Sequence, residues 1–106
     1  MCGIAGWLDK YEDLSEKQSI IDKMTDSLTS RGPDDFGVSF SSKRDVCLMH
    51  RRLAVIDPKN GQQPMSRSFG GYKYTIAYNG ELYNAPELRA ELEALGCRFQ
   101  TSCDTE

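Results

Sequence analysis

The sequence predicts an α+β domain with mainly antiparallel sheets. Two segments have the apolar spacing of amphipathic helices, and the stretches around them are short, apolar and separated by turn residues. The predicted order is a strand, a helix, several strands, a second helix and a last strand. Short strands linked by hairpins form antiparallel sheets, and helices pack against such sheets in layers. The 106 residues are enough for one modest domain.

The first helix is predicted to begin at Ser15 and to end before Pro33. Gln18 stands three positions after Ser15, which is the spacing of a capping box. The residue before a proline avoids helical dihedrals, so the helix ends in the segment 31–33. The apolar face of the helix consists of Ile20, Ile21, Met24 and Leu28.

The second helix is predicted to follow Asn84, a favourable N-cap, and Glu87 completes another capping box. Pro86 falls in the first turn, where a missing N–H costs little. Gly96 suits the C-terminal end of the helix. The apolar face consists of Leu88, Leu92 and Leu95.

Strands are predicted in the remaining apolar runs, and turns in the stretches rich in glycine, proline and aspartate. The turns are residues 34–37 and 57–61, and Gly70-Gly71 is predicted to turn a hairpin into the strand that follows it. The strands are residues 1–8, 38–40, 46–50, 53–56, 72–78 and 97–101.

The composition is that of an ordinary globular protein, and it argues against several classes of function. The net charge is −3 and the Lys and Arg residues are dispersed, so no nucleic-acid partner is expected. No apolar run is long enough to cross a membrane, and the N-terminus lacks the pattern of a signal peptide. We therefore expect a cytoplasmic protein whose thiols stay reduced.

The four cysteines are expected to be free thiols and not disulfide partners or zinc ligands. No C-x-x-C spacing occurs, and His50 is the single histidine. Cys47, Cys97 and Cys103 are interpreted as small apolar side chains. His50 is interpreted as a strand-end residue with ordinary hydrogen bonds.

Cys2 is the sharpest candidate for chemistry. Removal of Met1 would leave a thiol and a free α-amine on one carbon. The pKa of an α-amine is about 7.7–8.0, which suits proton transfer near neutral pH. Such a residue carries its own base, as N-terminal threonine nucleophiles do. The alternative is a small buried residue near the terminus.

Three polar clusters at strand ends could complete a site around Cys2. An arginine of the pair Arg51-Arg52 could bind a carboxylate through two parallel hydrogen bonds. The segment Asn79-Gly80 could stabilise an oxyanion with an amide group and a backbone N–H. Asp104 and Glu106 could bind an ammonium group. The plainer alternatives are a solvated arginine, a simple turn and a solvated acidic tail.

Six motifs in a fixed order cover almost the whole chain. They are residues 1–6 (MCGIAG), 31–37 (RGPDDFG), 50–57 (HRRLAVID), 61–65 (GQQPM), 78–84 (YNGELYN) and 99–106 (FQTSCDTE). Together they resemble the class II glutamine amidotransferases, a branch of the N-terminal nucleophile hydrolases. The segment 61–65 resembles the version typical of asparagine synthetases. One departure is Cys103, where the family usually has serine.

The resemblance implies a role for each matching residue. Cys2 would attack the side-chain amide of glutamine and form a γ-glutamyl thioester, while its α-amine shuttles the proton. Asn79 and the N–H of Gly80 would steady the oxyanion. The substrate-binding set would be Arg52 for the α-carboxylate, Glu81 and Asp104 for the α-ammonium, and Leu53, Val55 and Ile56 along the pocket. Arg51 has no implied role.

The resemblance also implies a larger enzyme. Residues 2–106 would be the N-terminal portion of an amidotransferase domain with a layered α/β/β/α sandwich fold. A separate synthetase domain would bind ATP and Mg²⁺, receive ammonia through an internal channel and convert aspartate to asparagine. The whole could form a homodimer, and no cofactor or metal is expected in this portion.

The isolated chain is expected to fold poorly or to hydrolyse glutamine weakly, because a half sheet leaves an unpaired edge. Two alternatives stay open for the chain. It could be a non-catalytic remnant, or it could belong to another class II amidotransferase, such as the glucosamine-6-phosphate synthase type.

Overall fold

The computed structural model describes residues 1–54 and 59–106. Within these residues, five strands and two α-helices form an α+β arrangement with antiparallel sheets, as predicted. The strands are β1 (Gly3–Leu8), β2 (Asp35–Phe40), β3 (Val46–Arg52), β4 (Met65–Phe69) and β5 (Tyr72–Ile76), and the helices are α1 (Gln18–Ser27) and α2 (Ala85–Ala94). No helix in this part of the chain has the length and apolar character needed to cross a membrane.

The first sheet has three strands, in the order β1-β3-β2, and both neighbours run antiparallel to β3. The register places Ala5 opposite Met49, and Val38 pairs with Met49 on the other side. Side chains alternate between the two faces of a strand, so these three residues lie on one face. The second sheet is the hairpin of β4 and β5.

The core lies between that face of the first sheet and helix α1. Leu14, Ile21, Cys47 and Met49 are fully buried there, with Trp7, Met24 and Phe40 among the side chains packed around them. Helical spacing explains why Ile21 is buried while its neighbour Ile20 is 46% exposed. The core therefore fixes β3 in the centre of the sheet, and the candidate site begins where β3 ends.

The opposite face of the sheet is approached by the segment after Gly61. A side chain at Gly37 would collide with the carbonyl oxygen of Gln63. Glycine in β2 therefore allows the backbone of this segment to lie directly on the sheet. This close approach brings Gln63 next to the end of β3.

The predicted start of the first helix is wrong. Asp13, and not Ser15, caps a short 3₁₀ turn at Leu14–Glu16, and its carboxylate accepts the N–H of Ser15 at 2.9 Å. Helix α1 then begins at Gln18, whose side chain donates to Asp22 at 2.7 Å and not back to a capping residue. Because the Asp13 carboxylate already accepts the N–H of Ser15, that N–H is not available to Gln18 for a capping box.

Two further predictions are wrong in the strands. Residues 35–37 are not a turn but the start of β2, because β3 continues to Arg52 and pairs with Asp35. Residues 97–101 do not form a strand. The N–H groups of Gln100 and Thr101 donate to the carboxylate of Glu106 at 2.9 and 2.8 Å, which leaves them unavailable to a neighbouring strand.

The predicted strand 53–56 is not supported at its first two residues. Leu53 and Ala54 lie outside any strand, and Val55 and Ile56 fall outside the described residues, as do the first two positions of the turn 57–61.

The hairpin and the second helix are confirmed. Gly70 and Gly71 have φ values of 59° and 82°, which glycine adopts without strain. Strand β5 ends at Ile76, two residues before its predicted end. Helix α2 follows Asn84 and ends before Gly96, although the Asn84 side chain makes no capping hydrogen bond. No residue of α2 is buried, so its leucine face lacks the packing that the pattern predicted.

Candidate active site

A cavity of about 280 Å³ lies where the end of β3 meets the loops after β5 and α2. Seven of the nine residues predicted for the site line it, and the other two, Val55 and Ile56, lie outside the described residues. The seven are Cys2, Arg52, Leu53, Asn79, Gly80, Glu81 and Asp104. The structure thus brings together residues from four separate motifs.

Cys2 immediately precedes β1 and is held against the residue that follows β3. The N–H of Leu53 points at the Cys2 sulfur at 3.3 Å, and the thiol lies 3.7 Å from the Leu53 carbonyl oxygen. The Cys2 carbonyl accepts a hydrogen bond from Arg31 at 3.2 Å. The antiparallel pairing of β1 with β3 therefore places Cys2 in the wall of the cavity.

Arg52 is buried at the end of β3, with only 4% of its surface exposed. Its guanidinium packs directly against Gly61, where any side chain would collide with it. A Cβ atom at position 61 would also lie 3.0 Å from the sulfur of Cys103. Gly61 and Cys103 therefore leave a fixed place for the guanidinium in the cavity wall.

Arg51 points to the face of the sheet that packs against α1, because successive strand residues point to opposite sides. It forms an ion pair with Asp26 at 2.5 Å and donates to the carbonyl of Thr25 at 3.2 Å. Its guanidinium also lies 4.9 Å from the ring centre of Phe36. Arg51 thus ties helix α1 to the sheet and has no part in the cavity.

The segment Asn79-Gly80 leaves β5 through the backbone of Tyr78. Gln63 accepts the N–H of Tyr78 at 2.6 Å, and Nε2 of His50 lies 3.1 Å from the Tyr78 carbonyl oxygen. A side chain at Gly80 would stand 2.5 Å from the Tyr78 hydroxyl. The Tyr78 ring therefore lies close to Gly80, and a larger residue at that position would require the ring to move.

His50 is an ordinary hydrogen-bonding strand residue, as predicted, but it is also fully buried. Burial lowers the pKa of His50, and the charge of Arg52 acts in the same direction. The hydrogen bond to Tyr78 and the charge of Asp35 oppose that shift. The imidazole is thus held in its neutral form.

Asp104 also lines the cavity. One of its oxygens accepts the N–H of Leu82 at 2.8 Å, which links the segment 99–106 to the start of α2. Glu81 is exposed and also lines the cavity. A cavity lined by an arginine and two carboxylates can bind a molecule that carries both an acid and an amine.

Cys103 is buried beside Asp104, and its thiol lies 3.4 Å from the Thr105 hydroxyl. Its position in the cavity wall agrees with the expected place of a small residue. All four cysteines are unpaired, and the described part of the chain contains no group of three or more His, Cys, Asp or Glu residues placed to hold a metal ion.

Glu106 does not line this cavity, so it is not available to a ligand there. Its carboxylate accepts hydrogen bonds from Arg67 at 2.8 Å, from both N–H groups of residues 100 and 101, and from the Thr101 hydroxyl at 2.8 Å. Burial alone would raise the pKa of Glu106, but these hydrogen bonds outweigh it and lower the pKa to about 2. Glu106 therefore holds the loop that carries Asp104.

Loss of the Glu106 charge is expected to destabilise the protein in acid. The ordinary pKa is 4.5 and the folded value is about 2, so this contribution is complete above pH 4.5 and is lost as pH falls through about 2. Glu106→Gln should lower the urea midpoint at pH 7 and lose less stability than the unmodified protein between pH 4.5 and 2. Glu93→Gln, on the exposed side of α2, is the control. Equal acid sensitivity of the Glu106 variant and the parent would contradict this role.

Six lining residues were not identified from the sequence as site residues: Met1, Gln63, Tyr78, Tyr83, Cys103 and Thr105. Gln63 and Tyr78 fall inside motifs that had been noticed, but nothing in the spacing shows that a glutamine of one loop meets the backbone of another. This contact depends on the path of the segment between Gly61 and β4, which sequence patterns do not describe.

Comparison with known proteins identifies the family of the chain. The glutamine amidotransferase domain family matches residues 1–106, and the chain belongs to that family. Its fold of two helices and antiparallel sheets fits that assignment.

Several glutamine-hydrolyzing asparagine synthetases are similar over the whole chain. Asparagine synthetase 3 of Bacillus subtilis (strain 168) is 48% identical over 106 residues, asparagine synthetase 1 of the same organism is 40% identical over 108, and that of Zea mays is 40% identical over 106. In each case 100% of this chain is matched. The chain spans only 16–17% of the length of these relatives.

Proposed function

We propose that this chain is the glutaminase part of an asparagine synthetase and that it hydrolyses glutamine to glutamate and ammonia through Cys2. The observation that carries the proposal is the meeting of the Cys2 sulfur, the Arg52 guanidinium and the Asp104 carboxylate around one cavity of about 280 Å³. Membership of the amidotransferase family supports the same reaction.

The substrate is bound by its two charged ends. Arg52 pairs with the α-carboxylate of glutamine, and Asp104 and Glu81 pair with the α-ammonium. The two ends are thereby fixed, and the side-chain amide extends toward Cys2. Leu53, with Val55 and Ile56 beyond it in sequence, supplies backbone groups along the pocket.

The reaction proceeds in two steps. The Cys2 sulfur forms a bond to the amide carbon, and the α-amine takes the thiol proton and passes it to the departing nitrogen, which leaves as ammonia. Water then attacks the γ-glutamyl thioester, and glutamate leaves as the Cys2 thiol is restored. The Asn79 amide and the Gly80 N–H stabilise the oxyanion in both steps.

The ammonia serves a synthetase domain in the longer enzyme. That domain uses ATP and Mg²⁺ to activate aspartate, and the product is asparagine. We place the enzyme in the cytoplasm and propose a homodimer for the full-length form. The alternative function is the glutaminase of another class II amidotransferase, and the segment 61–65 favours the asparagine synthetases.

The test is an assay of glutamine hydrolysis in the longest natural chain that contains these residues. Equal amounts of glutamate and ammonia are expected from protein whose intact mass shows that Met1 is absent. A form that retains Met1 should be inactive, because its sulfur has no adjacent free amine. Equal activity of the two forms would overturn the mechanism.

A further inference from the structure

We propose that His50 and Gln63 are positioning residues that hold the backbone of Tyr78 from both sides and thereby set Asn79 and Gly80 opposite Cys2. The inference rests on the proposed function, in which Asn79 and Gly80 receive the oxyanion. Neither His50 nor Gln63 touches the reacting atoms in this scheme. Both act through the peptide groups of Tyr78.

The two contacts take the place of the strand hydrogen bonds that Tyr78 lacks. Tyr78 lies beyond the end of β5, so its N–H and carbonyl no longer have ladder partners. Gln63 accepts the N–H at 2.6 Å and His50 donates to the carbonyl at 3.1 Å. The exposed fractions of His50 and Gln63 are 0% and 9%, so water competes little for either hydrogen bond.

Gln63 also sets the distance between the two halves of the site. Its side-chain nitrogen donates to the Thr105 hydroxyl at 3.1 Å, next to Asp104. Its own backbone is fixed against Gly37 of β2. One side chain thus connects the oxyanion segment to the segment that binds the substrate amine.

The hydrogen bond from His50 to Tyr78 leaves the other ring nitrogen of His50 without a partner within residues 1–54 and 59–106. A carbonyl oxygen only accepts, so Nε2 must carry the proton and Nδ1 must be bare. Nδ1 is buried and finds no partner among the described residues. A bare buried acceptor is unfavourable for stability, and an apolar residue would remove it. The histidine is therefore explained by the donor that it supplies to Tyr78.

The test compares His50→Gln with His50→Leu in the longest natural chain. Glutamine keeps an N–H donor at a similar reach, whereas leucine fills the space without one. His50→Leu should lower kcat for glutamine hydrolysis about 10²-fold, because the oxyanion donors shift by about an ångström. KM should change less than about threefold, since Arg52 and Asp104 bind the ground state. His50→Gln should keep kcat within about threefold of the parent.

The value of kcat is calculated per molecule that a Cys2-directed electrophile can label, so unfolded molecules are excluded from the calculation. A merely structural role would lower the labelled fraction and leave kcat per labelled site unchanged, and that result would overturn the inference. Equal loss of kcat in the two variants would also overturn it.

Failure of the proposed function would be seen separately, as no hydrolysis by the parent protein. The inference then stands on ¹⁵N NMR of His50. A proton on Nε2 with Nδ1 bare supports the contact to Tyr78, and a proton on Nδ1 alone overturns it whatever the activity.

Discussion

Replacement of Cys2 by alanine is expected to reduce glutamine hydrolysis on the order of 10⁴-fold or more. The variant keeps an α-amine after removal of Met1 but has no sulfur to form the thioester. The Arg52 and Asp104 side chains are untouched, so glutamine should still bind. The measurement is the rate of glutamate formation, together with the Kd for glutamine by calorimetry.

Cys97→Ala is the matched control for this prediction. Cys97 is exposed and does not line the cavity, so its replacement should leave the rate within about twofold. Residual activity of the Cys2 variant near that of the parent would mean that another group attacks the substrate. Loss of glutamine binding together with activity would mean that Cys2 shapes the pocket and does not only attack.

Replacement of Arg52 by alanine should reduce kcat/KM for glutamine by about 10²–10³-fold. The substrate carboxylate would lose a charge-assisted partner in a buried wall, and such losses cost about 2–5 kcal/mol. Most of the effect should appear in KM, because the carboxylate is bound equally before and during the reaction. Steady-state kinetics over a wide range of glutamine concentration measure both constants.

Arg51→Ala removes the same type of side chain one position earlier and tests which face matters. Arg51 pairs with Asp26 and Thr25 on the α1 side of the sheet. Its loss should lower the melting temperature and leave KM for glutamine unchanged. A rise in KM for Arg51→Ala with none for Arg52→Ala would reverse the assignment of the two arginines.

The pair of arginines shows how far the sequence can predict the site. Alternation along a strand requires that one of two neighbouring arginines points to each face, but it does not say which face binds the substrate. The family resemblance selects Arg52, and the structure places that residue in the cavity wall and Arg51 against α1. Gly61 leaves room for the Arg52 guanidinium, and α1 occupies the side of Arg51.

The fold could be predicted where local signals agree with tertiary contacts. Gly70 and Gly71 adopt the positive φ values that a tight hairpin uses, and α2 has the predicted extent within about a residue at each end. These features depend on neighbouring residues, so spacing and turn chemistry are sufficient to find them.

The errors occur where a distant or competing group decides the structure. Asp13 accepts the N–H of Ser15, which a capping box would have directed to the side chain of Gln18. Glu106 accepts the N–H groups of residues 100 and 101. Both competitors are carboxylates, which are stronger acceptors than a side-chain amide or a neighbouring strand carbonyl. Local pattern alone does not reveal which acceptor lies closer in space.

The most direct measurement is the intact mass of the protein after incubation with 6-diazo-5-oxo-norleucine, followed by mapping of the modified peptide. The account predicts a chain without Met1 that carries a single adduct, located on Cys2, and protection from labelling by excess glutamine. A mature chain that keeps Met1, or an adduct on Cys97 or Cys103 while Cys2 stays unmodified, would contradict it.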